Sequence, residues 1–363
     1  MNVEEKKQYL SRPVEHIDIT QFDARPLVAA MGQTAYSARD LARATEIYNR
    51  MLADPDCGII LCLAGSLISA GLKKVFVEMI RSNMVDVVVA TGANLVDQDF
   101  FEALGFRHYQ ADRILKTGVY DDRLRELHID RIYDTLIDED ELRICDQTVR
   151  QIADSLPPKA YSSREFLVAM GQYLAQGGAQ CQESIVLEAY RQGVPLFCPA
   201  FSDCSAGFGL VMHRAARRGE PTVAIDSAKD FDELTQIKIL CKETGLFMIG
   251  GGVPKNFAQD VVVAADVLGV PTPMHKYAIQ ITVADVRDGG LSGSTLVEAS
   301  SWGKVDSSFE QMVYAEATLA VPLIVSAAWH QGHWKTRTRR NFNAVLDQLT
   351  PVEQTTSIPD HDP

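Results

Sequence analysis

From about Cys57 onward, short apolar runs alternate with longer stretches in which apolar side chains return every three or four residues. The segment Gly58-Ile-Ile-Leu-Cys-Leu-Ala-Gly65 is apolar throughout and predicts a buried strand, followed by a helix from about Ile68 to Asn83. Val85 to Thr91 predicts a second strand that runs into the turn Gly92-Ala-Asn94. Further strands are predicted at Pro195–Cys198, Thr222–Asp226, Gly245–Ile249 and Tyr277–Ile281. Helical patterns separate most of them, for example Asp230 to Glu243 and Lys255 to Asp266. Strands without a polar face, alternating with helices, predict an α/β fold whose mainly parallel sheet carries helices on both faces.

In such sheets ligands bind beyond the carboxyl ends of the strands. The places to inspect are Ala64-Gly65-Ser66, Thr91-Gly92-Ala93, Phe201-Ser202-Asp203, Gly250-Gly251-Gly252 and the segment after Ile281. The polar stretch from Asp138 to Tyr161, which contains Pro157-Pro158, fits either a linker or an excursion from one domain. The expected organisation is a single domain over residues 1–350 followed by a disordered tail, 351–363.

Composition narrows the function classes. The 363 residues are 46% hydrophobic and 23% charged, which is ordinary for a globular protein. Acidic side chains outnumber basic ones 48 to 35, a net charge of −13, so nucleic acid is not expected as a partner. The acidic balance suits cationic ligands such as amines. No apolar run approaches membrane-spanning length, and the polar start Met1–Leu10 shows no signal core. Seven scattered cysteines without a CxxC pair suggest buried thiols in a reducing compartment, hence a cytoplasmic location and no zinc site.

Three segments carry candidate chemistry. Met248-Ile-Gly-Gly-Gly-Val-Pro-Lys-Asn256 joins a predicted strand to a predicted helix. Its glycines let backbone approach a ligand, and the helix start can hold an anion, although a plain strand-to-helix turn explains the run as well. Asp285-Val-Arg-Asp288-Gly-Gly-Leu291-Ser-Gly293 is a glycine-rich polar loop. Then comes Glu298-Ala-Ser-Ser-Trp302-Gly-Lys304, where a partly buried lysine could serve as an imine-forming nucleophile. Residue chemistry alone favours the simpler alternative, a surface lysine beside a core tryptophan. His330 and His333 stand one turn apart without a third ligand nearby, so no metal site is expected. Arg337, Arg339 and Arg340 are expected on a solvated face.

Taken together, several segments resemble the deoxyhypusine synthase family, which includes homospermidine synthases. The likeness runs from about Gly58 to His330. It rests on Glu298–Lys304, Ser66-Leu-Ile-Ser-Ala-Gly71, Asn83-Met-Val-Asp-Val87, Pro199-Ala-Phe-Ser-Asp203, Gly250-Gly-Gly-Val253 and Tyr314-Ala-Glu-Ala317. The resemblance implies a Rossmann-like fold, tightly bound NAD, and a homotetramer with active sites at subunit interfaces. It also implies transfer of an aminobutyl group from spermidine, through an imine on Lys304, to an acceptor amine or a protein lysine. By position, Ser66, Ser69, Thr91, Gly92, Asp203, Gly251, Gly252, Ala284, Glu316 and Ala317 would surround the cofactor. Asp288, Glu298 and Trp302 would shape the amine pocket.

Four positions depart from the family pattern. Its paired glutamates correspond to Asp97-Gln98, one acid of the amine cradle is replaced by Phe208 and another by Leu291, and a histidine is replaced by Asn256. The expectation is therefore a homospermidine synthase-like transferase with one apolar end to its pocket and a donor other than spermidine. The alternatives are a deoxyhypusine synthase acting on a partner protein, and a non-catalytic NAD-binding assembly protein.

Overall fold

The computed structural model describes residues 3–111 and 121–349; the expected tail, 351–363, lies outside the described residues. Six parallel strands form the main sheet: β1 (Cys57–Leu63), β2 (Val87–Ala90), β3 (Leu196–Phe197), β4 (Glu243–Ile249), β5 (Tyr277–Thr282) and β6 (Glu310–Tyr314). Their order is β6-β5-β4-β1-β2-β3, with Ile60 opposite Val87 on one side of β1 and opposite Leu246 on the other. Successive side chains point to opposite faces, so Ile59, Leu61 and Leu63 enter one core while Ile60 and Cys62 enter the other. In β4, Phe247 and Ile249 alternate in the same way with Leu246 and Met248. Burial on both faces explains why these strands have no polar stripe.

Helices α1 (Tyr36–Ala53), α2 (Lys73–Arg81), α3 (Glu139–Ser155), α4 (Ser205–Ala216), α5 (Ser227–Leu240), α6 (Gly252–Gln259), α7 (Val261–Val267), α8 (Leu296–Ser301) and α9 (Ala317–Gln331) cover the sheet. Side chains of α1–α4 and α9 enter the first core, and those of α5–α8 the second. Among the described residues no helix is long and apolar enough to cross a membrane.

Several sequence expectations are corrected by this arrangement. Residues Asp138–Tyr161 are not a linker: Asp138 caps α3 by accepting from the Asp140 and Glu141 N–H groups, and Cys145, Val149, Ile152 and Ala153 bury its apolar face. The strand expected at Thr222–Asp226 shrinks to Ala224–Ile225 and pairs with Ala160–Tyr161, outside the main sheet. The helix expected from Ile68 is interrupted at Gly71, whose φ of 92° is left-handed and which passes close to the Glu15 carbonyl. The helix expected from Lys255 to Asp266 divides at Asp260. Arg337, Arg339 and Arg340 do not form a solvated face. They donate to the carbonyls of Asn83, Met51, Ile80, Arg81, Cys57 and Pro55, and Arg337 and Arg340 also reach the buried Asp86.

Beneath the second core runs a buried polar chain. Lys238 Nζ donates to Thr244 Oγ1 at 2.8 Å; that hydroxyl faces His275 Nδ1 at 2.8 Å, and His275 Nε2 faces the Ala258 carbonyl at 3.1 Å. Burial keeps His275 neutral, so its Nε2–H donates to Ala258 and Nδ1 accepts from Thr244. Burial also pushes Lys238 down to about 8. The unfolded chain keeps that proton to higher pH, so the folded state is penalised below pH 8 and gains stability as pH rises from about 8 towards the lysine's ordinary value. Lys238→Met is therefore expected to stabilise the protein by about 2 kcal/mol at pH 7, the cost of burying the charge less the lost hydrogen bond. Urea unfolding at pH 7 and pH 10 checks this, because the gain must shrink at the higher pH.

Candidate active site

The chain leaves β1 in one direction to β2 and β3, then returns to lay β4, β5 and β6 on the other side. The reversal falls between β1 and β4, the place where an open parallel sheet leaves a crevice for a ligand. Ala64-Gly65-Ser66 and Gly250-Gly251-Gly252 flank it. Gly65 and Gly252 have φ of 71° and 57°, and both face open space where a side chain would stand. Gly251 is packed against the backbone of Ser292, so the glycine-rich loop after β5 lies directly on this turn.

Every residue expected around a cofactor lies at the carboxyl end of a main-sheet strand or just beyond it. Ser66 and Ser69 follow β1, and the Ser69 hydroxyl donates to the Ser66 carbonyl. Thr91 and Gly92 follow β2, with the Thr91 hydroxyl bonded to the Gly65 carbonyl at 3.2 Å. Asp203 is exposed beyond β3, Ala284 follows β5, and after β6 Glu316 caps α9, whose first residue is Ala317, by accepting from the Thr318 N–H. Open glycines, an α6 start that no side chain caps and an exposed carboxylate suit the pyrophosphate and ribose of a dinucleotide, so the chain fits NAD.

Beside the crevice lies a cavity of about 700 Å³, between α5, α6, α7 and α8. Asn256, Asp260, Glu298, Trp302 and Lys304 line it, together with the apolar side chains of Phe231, Val263, Val267, Leu268 and Leu291. Gly289, Gly290 and Leu291 come from the same loop whose Ser292 packs on Gly251, so cavity and crevice share a wall. Lys255, fully buried, fastens that wall. Its Nζ donates to the Leu291 carbonyl at 3.0 Å and to the Ser294 carbonyl and hydroxyl at 2.6 and 2.9 Å. With no carboxylate partner in that set, burial pushes Lys255 down to about 8.

Lys304 follows the turn that ends α8, with its N–H on the Ala299 carbonyl and its carbonyl accepting from His275 N–H. Its side chain is largely buried, at 12% exposure. Nζ lies 2.5 Å from Asp260 Oδ1, 3.3 Å from Asn256 Oδ1 and 5.3 Å from the centre of the Trp302 ring. A lysine so held beside an open cavity can receive a carbonyl or imine carbon once it carries a free lone pair.

Five of the nine expected amine-site residues thus meet: Asn256, Leu291, Glu298, Trp302 and Lys304. Asp288 stands next to the cavity, but its Oδ1 accepts the Gly290 N–H and shapes the loop. Asp97, Gln98 and Phe208 lie elsewhere in this chain. Asp97 accepts the Ser205 N–H at the start of α4, and burial raises it to about 6. Gln98 is buried and accepts the Ser69 N–H, while Phe208 is exposed on α4. Sequence reasoning missed Asp232 and Asp260. Asp260 follows Asn256 by four residues, the spacing of one helical turn, and that was the available signal.

A family model described as deoxyhypusine synthase matches residues 26–328. A deoxyhypusine synthase-like protein of Chlorobaculum tepidum is 60% identical over 94% of this chain and 97% of its own. One from Coxiella burnetii is 59% identical over 93% and 94%. A crystal structure assigned as an Entamoeba histolytica deoxyhypusine synthase has a TM-score of 0.58 at 17% identity, covering 91% of this chain and 99% of the other, a likeness of fold. On the family model's match over residues 26–328 and these relatives, the chain belongs to the deoxyhypusine synthase family.

Proposed function

We propose that the protein is an NAD-dependent transferase that moves an aminoalkyl group from a di- or polyamine to a second amine through an imine on Lys304. The observation that carries this reading is the shared loop: Gly289, Gly290 and Leu291 line the lysine cavity, and the adjoining Ser292 packs on Gly251 of the glycine crevice. Bound in the crevice, NAD would supply the hydride acceptor. The chain's own residues do the rest. Carboxylates of Asp232, Asp260 and Glu298 attract the ammonium groups of the donor, Trp302 offers its ring face to a cation, and Lys304 forms the covalent link.

The apolar lining supports a donor other than spermidine. Leu291 is 42% exposed into a cavity already lined by Phe231, Val263, Val267 and Leu268, and an ammonium ion facing those side chains would lack a partner. A shorter amine, or one with a less charged end, suits it better.

A homotetramer with sites between subunits is part of the same reading. Asp203 stands beyond β3 and Glu316 beyond β6, five inter-strand gaps apart, about 24 Å at about 4.8 Å per gap. Opposite edges that distant serve two different cofactors more readily than one. Phe208, Val211, Val283 and Leu319 are each more than 60% exposed, apolar side chains that further copies would cover.

Mass spectrometry of products after incubation with NAD and a panel of di- and polyamines tests the reading. The expected result is a new secondary amine from a short diamine, with 1,3-diaminopropane released only slowly from spermidine. Transfer solely into a partner protein's lysine would favour a deoxyhypusine synthase, and no product with any amine would favour a non-catalytic NAD-binding protein.

A further inference from the structure

Lys304 is held in a manner opposite to what an imine-forming lysine needs at the moment of reaction. Its Nζ, Asn256 and Asp260 close a ring of side chains. Lys304 donates to Asn256 Oδ1 at 3.3 Å and forms an ion pair with Asp260 Oδ1 at 2.5 Å, and Asn256 Nδ2 donates to Asp260 Oδ2 at 2.6 Å. The Trp302 ring covers a further side at 5.3 Å. A carboxylate oxygen, an amide oxygen and an aromatic face, the partners a cation takes, thus surround the Lys304 nitrogen, and an ammonium ion has no lone pair to offer.

The same carboxylate faces the cavity. Asp260 lines it together with Asp232 and Glu298, and its side chain keeps 30% exposure, whereas that of Lys304 keeps 12%. A cationic ligand entering the cavity therefore reaches Asp260 more easily than it reaches Lys304. Asn256, bonded to both partners, fixes the carboxylate so that one oxygen is turned to the lysine.

Resting on the transferase reading above, we propose that Asp260 is a positioning residue that holds Lys304 protonated in the empty site and exchanges it for an ammonium group of the bound amine. The exchange trades one ion pair for another, so it costs little beyond moving the lysine. Freed from its counter-ion and crowded by a second cation, Lys304–NH₃⁺ gives its proton to a water at the cavity mouth and becomes Lys304–NH₂. No other bond forms or breaks in this step. The nucleophile is thus unmasked only when an amine is present, which protects it from stray aldehydes in the resting protein.

Two measurements on the full chain, neither requiring NAD or turnover, test the exchange. In the first, the protein is treated at pH 7.5 with propanal and cyanoborohydride, and alkylation of Lys304 is followed by peptide mass spectrometry. Asp260→Asn is expected to label at least about tenfold faster than the natural protein, because the lysine is no longer held as an ammonium. In the second, putrescine is titrated calorimetrically in two buffers of different ionisation heat. The natural protein is expected to release close to one proton per amine bound, and Asp260→Asn none. Asp260→Ala repeats both tests with a different side chain, and circular dichroism confirms that each variant is folded. Equal labelling rates, or amine binding without proton release, would overturn the proposal, as would the absence of any putrescine binding. If labelling and proton release behave as expected but no amine is ever transferred with NAD, the exchange stands and the transferase reading fails.

Discussion

Replacing Lys304 by alanine is expected to abolish borohydride-trapped adducts and to lower amine transfer by roughly 10⁴-fold or more, the scale on which deletion of a covalent nucleophile is felt. The side chain packs at the edge of a cavity and its ion-pair partner retains 30% exposure, so Asp260 can be rehydrated when the lysine is removed. Urea unfolding of the variant should accordingly differ little from that of the natural protein. Lys304→Arg sharpens the comparison. A guanidinium keeps the charge and the pairing with Asp260 but cannot form an imine under these conditions, so it should be as inactive as alanine. Residual transfer within tenfold of the natural protein in either variant would remove Lys304 from the reaction.

The largest effect on stability is expected at Asp86. Its side chain is 1% exposed, and Oδ2 accepts from the Ile59 N–H at 2.8 Å, from Arg337 Nη2 at 2.5 Å and from Arg340 Nη1 at 3.3 Å. Arg337 itself is 3% exposed and also donates to the Asn83 and Met51 carbonyls. Asp86→Ala leaves a buried guanidinium without its counter-charge and a strand N–H without its acceptor, a loss of about 3–5 kcal/mol. Denaturant unfolding reads this directly. Adding Arg337→Ala to Asp86→Ala should cost less than the sum of the two single changes, since the second removes the stranded charge. Strict additivity would mean that the pair is not coupled.

The main sheet was largely legible in the sequence because both faces of each strand are buried. Continuous apolar runs such as Gly58–Leu63 and Gly245–Ile249 have no competing amphipathic reading. The edge strand Glu310–Tyr314 escaped notice because Glu310, Gln311 and Tyr314 are polar or half-exposed and break the run. The sequence of helix α3 fits a linker as well as an excursion from the domain, because its buried stripe is narrow and surrounded by charges. The three arginines after residue 336 defeated the charge rule, since most of their partners are backbone carbonyls, which have no signature in sequence. In the site, family likeness pointed to Lys304, Glu298, Trp302 and Asn256, which do converge, while Phe208 lies away from them. The four-residue spacing from Asn256 put Asp260 on the same helical side, but its pairing with Lys304 could not be read from sequence, because the lysine arrives from a loop 44 residues further along the chain.

The central position of β1 also bears on how the protein is made. Its residues are paired on one side by β2, close by in sequence, but on the other by β4, which begins roughly 180 residues after β1 ends. At about 5–20 residues per second of synthesis, the open side of β1 waits on the order of 9–36 s for its neighbour. Throughout that interval one long apolar strand edge is available to other nascent chains. The sheet can close only when most of the chain has left the ribosome, so yield in a cell should depend on what shelters that edge during translation.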